Sequence, residues 1–221
     1  MAMFERFQNL LRAGSDGLST DAVQSWSEAR SLNFTHMPEG GFALGGMLLG
    51  RPLRVEYGPP ARPFIRGREI SARAELALDT AATVVLMNRH LKLQLTEQAH
   101  RFYEQVTDEL QTVTEPLPEE MRWVSMYRDL GWEGPDPAFW ARYAVLADAA
   151  DTARYWVDDA MVARLMAWPE GGVDAQTPVL LMLMRGKTYL RMQVPGKNPT
   201  GSVLHALELF EQACAQAMAL P

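Results

Sequence analysis

Glycine spacing constrains this chain more than any other feature. The stretch from Gly40 to Leu76 holds seven of its sixteen glycines: Gly40, Gly41, Gly45, Gly46, Gly50, Gly58 and Gly67. Short apolar runs stand between them, at 42–44, 47–49, Leu53, Val55, Tyr57, 64–65 and Ile70. Glycine punctuation around β-compatible runs reads as closely spaced strands and tight turns. Pro59, Pro60 and Pro63 exclude a regular central strand where they fall. The expectation is a hairpin, 53–57 with 64–76, around a proline-stiffened loop. Phe64, Ile70, Ala72, Ala74 and Leu76 share one parity of the second strand. Arg66 and Arg68 fall on that same parity, which calls for a bulge or turn at Gly67.

Elsewhere helices and strands mix. Phe4, Phe7, Leu10 and Leu11 lie on one face of a short N-terminal helix ended by Gly14. Ser19 or Thr20 caps a second helix. The run 83–88 reads as a buried strand. Leu91, Leu93 and Leu95 alternate with Lys92 and Gln94 and extend it, against a competing helix start at His90. Ala99, Phe102, Val106 and Leu110 then give an amphipathic helix from Thr96. Pro118, Glu119 and Glu120 open another, closed by Gly131. After the Gly134–Pro137 loop, 139–146 reads as a strand, and Asp148 or Asp151 caps a helix running to Trp168. The runs 179–184 and 188–194 flank Arg185-Gly186-Lys187, a hairpin signal. Thr200 or Ser202 caps a last helix with Leu204, Leu207, Phe210 and Cys214 on its apolar side.

Strands cluster and do not alternate strictly with helices. That predicts an α+β fold, with a mainly antiparallel sheet built from hairpins and packed by about five to six helices. The chain, 221 residues long, is expected to form a single globular domain. An alternative division has two sub-lobes, 1–133 and 138–221, joined at the Gly134–Pro137 loop.

Charge narrows the function classes. The net charge of −6 argues against nucleic-acid binding, which needs basic surface to displace counterions. Residues 51–92 nevertheless carry a balance of +4, and the remainder −10. No apolar run approaches the roughly 20 residues that span a bilayer, so no membrane insertion is expected. The single Cys214 excludes an intrachain disulfide and a cysteine zinc site, and fits a reducing compartment. The expected location is cytoplasmic.

Motifs for chemistry are few. The glycines from 41 to 50 lack the Gly-Lys-Ser/Thr of a phosphate loop. Glu97 and His100 form one Glu-x-x-His pair with no second copy to complete a metal pair. No nucleophile elbow is present. No catalytic residue, cofactor or metal site is therefore assigned. Arg54, Arg62, Arg66 and Arg68 are the candidate anion-binding set, because converging guanidinium forks select carboxylate or phosphate. The competing reading is a solvated sheet face with ion pairs to Glu56, Glu69 and Glu75. Phe4, Phe7 and Leu11 are the candidate partner-binding set. The leading functional reading is a non-enzymatic binding or accessory protein, working through a protein partner or self-association. A small anionic-ligand protein using the 51–73 hairpin comes second. An enzyme with an unrecognised site comes third.

Overall fold

The computed structural model describes residues 17–78, 81–108 and 117–221. The N-terminal set Phe4, Phe7 and Leu11 lies outside the described residues. Within them, nine strands form one open antiparallel sheet, accompanied by seven α-helices. The α+β expectation holds.

The first four strands are a meander. Helix α1 (Thr20–Glu28) starts at Ser19, whose hydroxyl accepts from the Ala22 amide. Strand β1 (Asn33–Met37) follows, then a 3₁₀ turn at Pro38–Gly40, β2 (Gly41–Leu48), β3 (Arg51–Gly58) and β4 (Arg68–Glu75). Leu49 and Gly50, at φ 52° and 74°, make the tight turn between β2 and β3. A positive φ at both central residues is what a two-residue hairpin with native twist needs. The second expected strand begins later than predicted, at Arg68. Residues 59–67 are a loop, and Gly67 turns it into the strand at φ 75°.

Strand β5 (Val84–Asn88) runs into α2 (Arg89–Asp108). The alternation at Leu91, Leu93 and Leu95 is therefore helical, with Leu91 and Leu95 buried one turn apart and Leu93 exposed. Short α3 (Glu119–Met126) and β6 (Arg128–Leu130) come next, then α4 (Pro137–Arg142) and β7 (Tyr143–Ala147). The predicted strand from 139 begins only at Tyr143, because Asp136 caps a helical turn over Phe139 and Trp140. The long helix predicted to Trp168 is two: α5 (Ala150–Trp156) and α6 (Asp159–Met166). Asp158 breaks it by capping α6, its carboxylate accepting from the Met161 amide at 2.8 Å. Strands β8 (Val179–Met184) and β9 (Lys187–Val194) form the predicted hairpin, turning through Arg185 and Gly186 at φ 53° and 69°. Helix α7 (Pro199–Met218) is capped by Asn198 in left-handed conformation, ahead of both expected caps, Thr200 and Ser202.

The strands lie in the order β1-β2-β3-β4-β9-β8-β5-β7-β6, and the two faces of the sheet are unlike. One carries Phe42, Leu44, Leu53, Val55, Ile70, Ala72, Leu86, Val145, Leu181, Leu190 and Met192 into the main core. Helices α1, α4, α5, α6 and α7 cover it with Val23, Phe139, Trp156, Met161, Leu207 and Phe210. Among the described residues, the 59–67 loop covers Glu69 at the start of β4 on the other face, and helices cover that face only over β5, β7 and β8. There Val85, Met87, Leu146, Leu180 and Met182 meet Leu91 and Leu95 of α2 and Trp123 of α3. Across β3, β4 and β9 the same face carries polar residues.

Candidate binding site

The uncovered face is a charge lattice. Register places Arg54 opposite Arg73, and Arg73 opposite Tyr189. Like charges directly opposite destabilise a sheet unless each is neutralised. Each is: Arg54 pairs with Glu56 and Arg73 with Glu75, two residues along its own strand. Lys187 adds a cross-strand contact to Glu75 at 2.9 Å. Glu75 accordingly has its carboxyl held below the ordinary range, first by the Lys187 hydrogen bond and then by Arg73. Glu69, nearly fully buried, pairs with Arg191 and accepts the Ala61 amide at 2.6 Å. The three acids on this face are thus engaged by four basic side chains of the same face.

The four arginines singled out from sequence do not meet. Arg54 lies on the lattice. Arg62, on the proline loop, forms an ion pair with Glu120 of α3; both facing atoms are buried, and neither makes a well-aligned hydrogen bond. Arg68 donates to the Glu39 carbonyl and lies 5.9 Å from the Tyr57 ring centre. Arg66 reaches a separate cleft. Single-sequence reading identifies charge but not which neighbours absorb it, because partners such as the Glu39 carbonyl, 29 residues from Arg68, and Glu120, on a helix far along the chain from Arg62, are brought close only by the fold.

That cleft, of about 550 Å³, is polar. Its floor is one side of α2: His90, Gln94, Glu97, Gln98 and Arg101. One wall is the loop before β4, with Phe64 and Arg66; the other is the loop before β8, with Asp174, Gln176 and Thr177. Both walls are fixed. The Arg66 amide donates to Gln193 Oε1 at 2.8 Å. Asn88 donates to the Ala175 carbonyl at 2.9 Å and accepts the Val179 amide at 3.1 Å. Asp174 Oδ1 accepts from the Gln176 amide, the Thr177 amide and the Thr177 hydroxyl. Those bonds, the Thr177 hydroxyl first, hold its carboxyl below the usual value. Gln94 Nε2 lies 2.9 Å from His90 Nε2. None of these positions except Arg66 is in the candidate set from sequence. The signal that would have found them is the spacing 90, 94, 97, 98, 101, one polar face of a helix, and it becomes visible only once α2 is known to start at Arg89.

The two sheet edges differ as well. Strand β6 is three residues long and carries charge at Arg128 and Asp129, with Asp129 bonded to Arg89 and Lys92. Strand β1, Asn-Phe-Thr-His-Met, is five residues long and has no lysine, arginine or acid. Among the described residues its outer backbone edge pairs with nothing. Phe34 holds it to the sheet through a ladder of rings, 5.4 Å to Phe42, which stands 5.3 Å from Tyr57. Sequence reading assigned no strand here.

Among the described residues no group of three His, Cys, Asp or Glu could hold a metal ion, and no helix is long and apolar enough to cross a membrane. Cys214 is buried, its thiol pushed up to about 12 by desolvation, which leaves it an inert core residue.

The described residues form an α+β protein with one open antiparallel sheet, in which edge strand β6 is short and charged and edge strand β1 is not. No known protein family matches the chain, and no curated protein matches it in sequence. Among solved structures it is similar to the crystal structure of the mycobacterial trehalose monomycolate transport factor A, TtfA, at 13% identity and a TM-score of 0.48 over 90% of this chain and 93% of that one. At that score nothing about function is carried over.

Proposed function

We propose that the protein is a non-enzymatic binding module whose β1 edge takes up an extended strand of a partner protein. The observation that supports this most directly is the contrast between the edges. Exposed strand edges are ordinarily shortened, charged or covered, because their unpaired amides and carbonyls recruit other chains. Strand β6 is treated that way and β1 is not. An added strand would satisfy β1's backbone groups, and side chains would set specificity. Met37, 44% exposed at the end of the strand, offers it an apolar contact. A net charge of −6 favours a basic partner over a second copy.

The test is selection of random peptides on the full chain, followed by hydrogen exchange and sedimentation. Selected peptides are expected to be rich in Lys and Arg and to slow exchange at 33–37. Thr35→Lys, on the exposed side of the strand, should abolish binding without changing the melting temperature. Peptides that bind Thr35→Lys equally well, or that leave exchange at 33–37 unchanged, refute the proposal. A dimer that forms through β1 in sedimentation would give the edge to a second copy and refute it too.

A further inference from the structure

The cleft on α2 stands apart from the β1 edge, and its residues point to a different occupant. From His90 to Arg101 the helix rises about 16 Å, so the floor is a trough and not a pit. Two arginines line it, Arg66 and Arg101, both exposed, and neither is in an ion pair among the described residues; Arg101 Nε donates to the Glu97 carbonyl at 3.4 Å. Two carboxylates line it as well. Glu97 is exposed and, among the described residues, forms no ion pair. Asp174 spends Oδ1 on its own loop, and among the described residues Oδ2 makes no hydrogen bond, although the Arg142 charge also acts on this carboxylate. The remaining polar lining is largely amide: Gln94, Gln98, Gln176 and Gln193.

We infer that this cleft binds a small zwitterion, a free amino acid or short peptide, with its carboxylate on Arg66 and Arg101 and its ammonium toward Glu97 and Asp174. A plain anion would meet two carboxylates and a plain cation two guanidinium groups, so a ligand carrying both signs is the one neither pair repels. Asp174 sits on the loop tied to Asn88, beside the start of α2, while Arg101 is three turns further on, with Glu97 one turn before it. A peptide lying along the helix, with its N-terminus near Asn88, presents its ammonium to Asp174 and its carboxylate to Arg101. Between the ends, glutamine side chains donate to carbonyls and accept from amides, which suits a peptide backbone of any sequence.

The test uses the full chain and a panel of free L-amino acids and glycine-based di- and tripeptides, screened by thermal shift and titrated by calorimetry. At least one member is expected to bind more tightly than about 1 mM. Acetylating its amine or amidating its carboxylate should weaken it about tenfold or more. So should Arg66→Met, Arg101→Met and Glu97→Gln, all at exposed positions where folding is untouched; Arg66→Lys should recover part of the loss. Thr35→Lys should change nothing, which separates this site from the edge. The inference is overturned if no panel member binds, if a blocked ligand binds as well as the free one, or if citrate or inorganic phosphate binds more tightly than every zwitterion.

Discussion

His205 shows what burial does to one titratable side chain. Its ring lies against Trp168 at 4.5 Å between centres, and Nε2 donates to the Arg164 carbonyl at 2.9 Å. Desolvation is the larger influence and lowers its pKa below 6.5, against that hydrogen bond and the charge of Glu208; Arg164 lowers it further. The unfolded chain therefore binds the proton more readily than the folded one. The sign follows: stability is full above pH about 6.5 and falls as pH drops from there toward the folded value. Chemical denaturation between pH 7.5 and 5 should show this slope, and His205→Asn should flatten it. An unchanged slope would mean that other groups carry the acid sensitivity. The position was legible in sequence only as one of four scattered histidines. Its environment is set by α6 packing on α7, which one-dimensional spacing does not contain.

At the scale of elements, the proline loop 59–67 does more than connect β3 to β4. It crosses from the charged half of the open face to the covered half. Ala61 is anchored to Glu69 on β4, the Arg66 amide to Gln193 on β9, and the Arg62 side chain to Glu120 on α3. Glu120 is buried and Arg62 a third exposed. Removing one partner strands the other in a partly dry setting, so Glu120→Ala is expected to cost about 1–2 kcal/mol, less than a fully buried pair would. Arg62→Ala in that background should add little, since the pair is already broken. Denaturant titration of the two single variants and the double variant measures this coupling; additive costs would rule it out. The loop's existence was readable from Pro59, Pro60 and Pro63, and the β8–β9 turn from Arg185-Gly186-Lys187, because proline and glycine act locally. Boundaries at Tyr143 and Asp158 were not, since caps there compete with strong apolar runs on nearly equal terms.

For the whole molecule, the α+β class and antiparallel character followed from clustered strands, but the strand order did not. Hairpins are written locally; the insertion of β9 and β8 between β4 and β5 is not. Nothing short-range distinguishes β4 pairing with β9 from β4 pairing with β5. Both are apolar on the core side, and the choice rests on how the finished faces fit the helices. Residues 17–178 alone should therefore lack a complete sheet. Such a fragment is expected to melt without a cooperative transition, while the full chain melts as a unit; a sharp melt for the fragment would contradict the shared sheet.

That strand order has a consequence for synthesis. As the chain leaves the ribosome, β1 to β4 can pair at once, since each pairs with the strand that follows it in the chain. Strand β5 cannot join them: its place is two strands away, and the two that fill the gap are made last. Until residue 194 has emerged, β4 presents Ile70, Ala72 and Ala74 beside an unpaired backbone, and β5 does the same with Val84 and Leu86. Long-range pairings of this kind close slowly, and waiting edges attract other chains. The nascent protein therefore passes through an interval in which its core strands, and not only β1, are open to capture. The binding of a chaperone to stalled chains should peak in that interval.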